Sequence, residues 1–122
     1  MGSHPINLAI RFLLEIIALI SIGAWGWSKA DGINRYLLAI GLPILIGIVW
    51  GVFAVPNDPS RSGKTVVVTS GIVRLVIEFL IFTIATFAIF NTGQQKIGYA
   101  FALIVIIHYV ISYDRVLWLL KN

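Results

Sequence analysis

The chain contains no cysteine. Disulfide staples, thiolate metal sites and thiol redox chemistry are thereby excluded. Charge is scarce as well. Asp, Glu, Lys and Arg make up 11% of the 122 residues, against about 25% in an ordinary soluble domain. Only five residues are acidic: Glu15, Asp31, Asp58, Glu78 and Asp114. What is abundant is apolar. Hydrophobic residues account for 59% of the chain, and the mean hydropathy is +0.97. Disorder, a nucleic-acid-binding tail and a routine soluble enzyme are ruled out, and an integral membrane protein is expected. The net charge is +4, but the basic residues are scattered. In such a chain they read as anchors at the membrane surface, with no nucleic acid as partner.

A hydrocarbon core about 30 Å thick needs roughly 20 apolar residues per helix. Four runs qualify, at about 6–27, 36–55, 68–90 and 97–120, the third starting near Val66 or Gly71. They leave no room for a soluble domain. The outer connections, 28–35 and 91–96, are short, and short loops join antiparallel neighbours. The middle segment, 56–65, holds Pro56, Pro59 and Gly63 and reads as the clearest turn. The expected fold is all-α: a single-domain polytopic membrane protein, a four-transmembrane-helix up-down bundle. Met1-Gly2-Ser3-His4 has the look of a cloning scar and receives no functional weight. Ile6 stands where a myristoylation signal wants Ser or Thr, and the first run is too long for a cleavable signal.

An even number of spans puts both termini on one side. That side carries Arg61, Lys64, Arg115 and Lys121, with Arg11 and Arg74 close by; the other carries Lys29, Arg35 and Lys96. Six against three places both termini in the cytoplasm of a cell with the chain in its inner (plasma) membrane. Trp25, Trp27, Tyr36, Trp50, Tyr99, Tyr113 and Trp118 lie near span ends, as an interfacial aromatic belt would.

The chain repeats itself. Arg11-Phe12-Leu13-Leu14-Glu15 opens the first span, and Arg74-Leu75-Val76-Ile77-Glu78 opens the third, 63 positions later; Tyr36 and Tyr99 match at the same offset. Two helical hairpins in one orientation are expected, related by an axis along the membrane normal. These anchors, with Trp25-Gly26, Gly41-Leu42-Pro43 and Trp50-Gly51-Val52-Phe53-Ala54-Val55-Pro56, resemble the YrdB family of small bacterial membrane proteins, a domain of unknown function. The resemblance covers nearly the whole chain and implies a four-helix inner-membrane protein. It brings no catalytic role with it.

Glu15 and Glu78 are the carboxylates inside apolar runs. Each costs about 2.5–3.5 kcal/mol at a helix centre on insertion scales, so each needs a partner or a use. Each has an arginine four residues earlier, Arg11 and Arg74, about 6 Å away along the helix. Closure within one helix uses the weaker Arg-before-Glu order. Crossed closure, Arg11 to Glu78 and Arg74 to Glu15, would be quasi-symmetric. Arg11, Ala18, Ile22 and Gly26 share the Glu15 face; Gly71, Arg74, Ala85 and Ala88 share the Glu78 face. Small residues there permit close helix approach or leave a cavity.

His108 falls on one face with Ile104, Ser112 and Arg115, where a neutral imidazole would reach Ser112 or a glutamate of another span. Metal or haem ligation lacks further ligands, since His4 is the other histidine. Asp114 is expected at the interface, paired with Arg11 or Arg74 or facing water. The candidate polar cluster is thus Arg11, Glu15, Arg74, Glu78, His108, Ser112 and Asp114, with no catalytic residue, cofactor or metal assigned. Pro43 is expected to kink the second span, and Gly47-x-x-x-Gly51 to pack within the bundle or in a homodimer. Gly63-Lys64-Thr65 imitates the end of a phosphate-binding loop, but Asp58 stands where glycine is required.

Three functional classes remain. The first is a non-catalytic membrane protein whose Arg–Glu pairs join helices or dock a partner. The second binds or transports a small polar ligand through Glu15 and Glu78. Small multidrug exporters share its size and a glutamate in the first span, but here Arg11 accompanies that glutamate, and a nearby cation makes a poor free proton carrier of it. The third, an enzyme acting on lipid, is the weakest, because no nucleophile has a base and an orienter.

Overall fold

A computed structural model describes residues 4–56 and 67–122. Within them the chain forms five helices and one short strand pair. Helix α1 spans Pro5–Lys29. His4 caps it by accepting the Ile6 N–H, Pro5 sits where its missing N–H costs nothing, and Lys29 meets the negative helix end. Gly32, at φ +61°, turns the chain into α2, Ile33–Val52. Arg35 reaches back across this turn, donating to the Trp27 carbonyl at 3.1 Å with its guanidinium over the Trp27 ring.

The end of α2 differs from expectation. The second span does not continue to residue 55; Phe53–Ala54 leaves the helix as β1 and pairs in parallel with β2, Val67–Val68. Thr69 N–H extends the pairing to the Ala54 carbonyl at 2.9 Å. Helix α3 then runs Gly71–Asn91, capped by Ser70, whose hydroxyl accepts from Val73 N–H. The turn-forming residues 57–65, with Arg61, Lys64 and the Gly63-Lys64-Thr65 imitation, lie outside the described residues, as do Met1–Ser3.

The fourth expected span is also corrected. It divides into α4, Gln95–Ile111, and α5, Tyr113–Lys121, bent by 68° at Ser112. Neither proline nor glycine is present there. Two side-chain ties, at Ser112 and Arg115, and a close backbone contact at Leu119, all described below, hold the bend and α5 against α1 and the start of α3. Three of the helices are long and apolar enough to cross a membrane, or four if the bent pair is one span. Their outward faces carry Ile, Leu, Val and Phe in quantity, an exterior matched to acyl chains.

α1 is the central helix, packed against α2, α3 and α4. Its buried side includes Arg11, Leu14, Ala18, Ile22 and Gly26, the stripe expected from spacing. It meets Phe82, Ala85 and Ile89 of α3 and Phe101, Val105 and Tyr109 of α4 in one core. A Cβ on Gly23 would stand 2.9 Å from the Ala39 carbonyl oxygen, and one on Gly26 3.0 Å from Leu38. These two glycines let the α1 and α2 backbones touch. α2 runs through Pro43 without a break and buries no residue of its own. A Cβ at Gly47 or Gly51 would meet nothing within 4 Å, so that motif does not pack inside the bundle.

Gly71 has a sharper constraint. A Cβ there would collide with the Leu119 carbonyl of α5. Gly71→Ala is therefore expected to unseat α5 and destabilise the protein by about 1–3 kcal/mol. Thermal unfolding in mild detergent, followed through tryptophan fluorescence, checks this. An equal change on Gly51→Ala would contradict it.

Candidate functional site

Glu78 lies on the third turn of α3 with 0% of its surface exposed. A carboxylate so placed must be met by donors on both oxygens. Arg74, one turn earlier, donates from Nε to Oε2 at 2.8 Å. Arg11 of α1 reaches the same oxygen from Nη2 at 2.8 Å. Arg115 of α5 spans both, Nη1 to Oε1 at 3.0 Å and Nη2 to Oε2 at 2.9 Å, the forked geometry that suits guanidinium to carboxylate. The Tyr109 hydroxyl of α4 donates to Oε1 at 2.7 Å. Four side chains from four helices converge on one anion.

The cluster extends to α2 through its backbone. Arg74 Nη1 donates to the carbonyls of Trp50 and Phe53, the latter at 2.7 Å. These are among the carbonyls that a helix C-terminus leaves unpaired. Trp50 is not simply part of an aromatic belt. Its ring packs edge-on against Phe82 at 5.3 Å and lies beneath both Arg11, at 5.9 Å, and Arg74, at 5.2 Å.

Glu15 is the outlying carboxylate, with 23% of its side chain exposed. It accepts from Arg11 Nε through Oε1 at 3.2 Å. The expected cross-pair from Arg74 to Glu15 is not formed, because Arg74 spends its donors on Glu78 and the end of α2. Closure is thus both within helices, Arg11–Glu15 and Arg74–Glu78, and between them, Arg11–Glu78.

Ser112 and His108 are buried as expected, but not as each other's partners. Ser112 Oγ accepts from Asn7 Nδ2 at 2.6 Å. His108 Nδ1 is buried with no hydrogen-bond partner. Ile104 is exposed, since the buried ridge of α4 passes through Phe101, Val105 and His108. Asp114 lies on the exposed side of the first turn of α5, where an acidic residue suits the helix dipole, and is not among the groups on Glu78. No group of three or more His, Cys, Asp or Glu suited to a metal occurs among the described residues. Sequence reasoning left Tyr109, Asn7 and Arg115 out of the cluster. Tyr109 gave one signal, a phenol well inside a span and away from either interface.

A helical chain with several membrane-length apolar helices, tied together at one buried ion cluster, is the class that fold and site define. Residues 9–106 match the family described as "Protein of unknown function (DUF2568)", and the chain belongs to that family. Over 116 residues it is 49% identical to "Uncharacterized protein YrdB" of Bacillus subtilis (strain 168), covering 95% of this chain and 94% of that one. The YrdB resemblance read from the motifs is thereby shown. No solved structure matches.

The cluster predicts a graded response. Glu78→Ala leaves three guanidiniums facing a void and should cost about 3–5 kcal/mol, the range for breaking a buried pair. Tyr109→Phe removes one hydrogen bond to a charged group and should cost about 1.5–3 kcal/mol. Glu15→Gln, at a partly exposed carboxylate with one ion pair, should cost less than about 1 kcal/mol. Unfolding of the three variants in the same detergent tests the order. A Glu15→Gln loss equal to that of Glu78→Ala would refute it.

Proposed function

We propose that this is a non-catalytic integral membrane protein, structural or partner-docking in role, whose Arg–Glu cluster clasps a four-span bundle. The observation that carries the reading is the saturation of Glu78. Both carboxylate oxygens are taken by Arg11, Arg74, Arg115 and Tyr109, so neither is left to bind a ligand or carry a proton. In lipid, helices gain nothing from exchanging apolar neighbours, so buried polar contacts decide which helices stay together. The paired Arg-x-x-x-Glu segments of α1 and α3 support descent from two repeated hairpins, with Arg11 to Glu78 the Arg–Glu pair that joins them among the described residues.

Native mass spectrometry of the gently extracted protein tests the clasp. Wild type and the Glu15→Gln, Glu78→Gln double variant should carry the same bound species, while the variant unfolds at lower temperature. A discrete non-lipid mass on wild type alone would replace this reading with the second one, a small polar ligand held in an intramembrane cavity. Glu15 Oε1 alone is engaged, by Arg11, and that favours Glu15 over Glu78 as the ligand group in that case.

The membrane is the inner (plasma) membrane in this reading, with both termini cytoplasmic. Three of the six arginines and lysines on that side, Arg11, Arg74 and Arg115, are buried on Glu78. The positive-inside bias acts as helices insert, before α5 can reach α3, so all six contribute at that stage. The absence of native cysteine makes the chain a ready host for labelling. In intact cells, Asn122→Cys should resist a membrane-impermeant maleimide and Gln94→Cys should react; the reverse pattern would invert the topology.

A further inference from the structure

The bend at Ser112 creates a feature that the clasp does not use. Between α3 and α4 lies an apolar groove of about 900 Å³. Phe79, Phe82 and Phe90 of α3 and Val105 of α4 line it, joined by Tyr113 and Leu117 of α5. Phe79 to Phe90 is eleven residues of helix, roughly 16 Å at 1.5 Å per residue. A pocket of this volume falls in the range for a small ligand, about 300–1,000 Å³. A groove of that length and volume accommodates an extended hydrocarbon chain, and its volume is less than that of an equal length of helix about 10 Å across.

α5 gives the groove a polar end. Its inward side is Arg115 and Leu119. Tyr113, Leu117 and Leu120 form a second, exposed apolar stripe at i, i+4 and i+7. Asp114, Trp118 and Lys121 form a third. Apolar, aromatic and charged stripes side by side are the pattern of a helix lying in a membrane interface. Lys121 is exposed and stands one turn beyond Leu117 on neighbouring faces of α5. A cation therefore stands one helical turn beyond the groove residue Leu117, complementary to a phosphate headgroup attached to a chain within the groove.

We propose that the α3–α4 groove is a binding site for one anionic phospholipid, with an acyl chain lying between Phe79 and Phe90 and the headgroup phosphate meeting Lys121. This rests on the membrane placement proposed above, and α5 lies along the interface on the side of the termini. The bend at Ser112 is then the device that turns the fourth apolar run from a plain span into the wall and mouth of a lipid site.

The full chain, extracted in mild detergent and exchanged into phosphatidylglycerol or phosphatidylcholine of equal chain length, provides the test by native mass spectrometry. Wild type should retain one phosphatidylglycerol under activation that strips the others, and should prefer it to phosphatidylcholine. Ala102→Phe and Thr83→Phe each place a ring in the groove, and the one that folds should lose that retained lipid. Lys121→Glu should keep a lipid but lose the preference for phosphatidylglycerol. Retention unchanged in a folded groove-filling variant overturns the proposal. So does a wild-type dimer that the same variants convert to monomer, because the groove would then belong to a second copy. Carbonate washing of membranes separates these failures from failure of the membrane reading: a protein released by the wash is not integral, whatever it binds.

Discussion

A carboxylate removed entirely from solvent has to be matched donor for donor, and Glu78 is where this requirement fixes the structure. Its partners come from α1, α3, α4 and α5, and one of them, Arg74, also holds the last carbonyls of α2. A single carboxylate thus ties four helices directly and the fifth, α2, through Arg74. The geometry leaves little slack. Arg115 binds in a fork, so α5 has a fixed rotation as well as a fixed position. Leu119, one turn further along α5, then falls against Gly71, the one residue type that leaves room for its carbonyl.

The same requirement explains why the two Arg-x-x-x-Glu segments differ in their surroundings. Arg11 and Arg74 each bond the glutamate one turn on. Their remaining donors diverge. Arg11 crosses to Glu78, whereas Arg74 turns to the end of α2. Glu15 consequently has one cation where Glu78 has three, and it stays partly open. Arg115 has no counterpart in the first hairpin, which continues into the strand pair β1–β2 instead of an α5. Glu78 is a saturated anchor and Glu15 a half-satisfied pair.

Much of this was legible in the sequence because helix periodicity in an apolar chain is a strong signal. The buried stripe Arg11, Ala18, Ile22, Gly26 and its match Gly71, Arg74, Ala85, Ala88 follow from 3.6-residue spacing alone. The spans were read to within a few residues at α1 and α3. The break at Ser112 was not, since no proline or glycine marks it. What ends α4 is tertiary: Asn7 on Ser112, Glu78 on Arg115 and Gly71 under Leu119. A weak local trace exists, Ser112 followed by Asp114, which is the pattern of a new helix start. Tyr109 and Asn7 were missed for a related reason. Their importance depends on which helix lies opposite, and that information is not local.

Where the outward faces are as apolar as these, a polar clasp is more decisive than a larger apolar core. Acyl chains and leucine side chains are nearly equivalent neighbours, so apolar contact alone does not distinguish a helix partner from solvent. α2 illustrates the point. It buries no residue, yet it is held to α1 by backbone contact at Gly23 and Gly26 and to α3 by Arg74 on its terminal carbonyls. At the opposite end of the bundle the ties are lighter, a Trp25–Asn91 hydrogen bond of 3.1 Å and the Arg35–Trp27 contact. The polar ties are therefore concentrated at the Glu78 end, while α1 and α2 are held at the other end by backbone contact at Gly23 and Gly26. Arg74 serves fold and cluster together, so replacing it disturbs both at once. Glu15 belongs to the cluster without supporting a second helix, which makes it the position where a ligand-binding role and a structural role separate most cleanly.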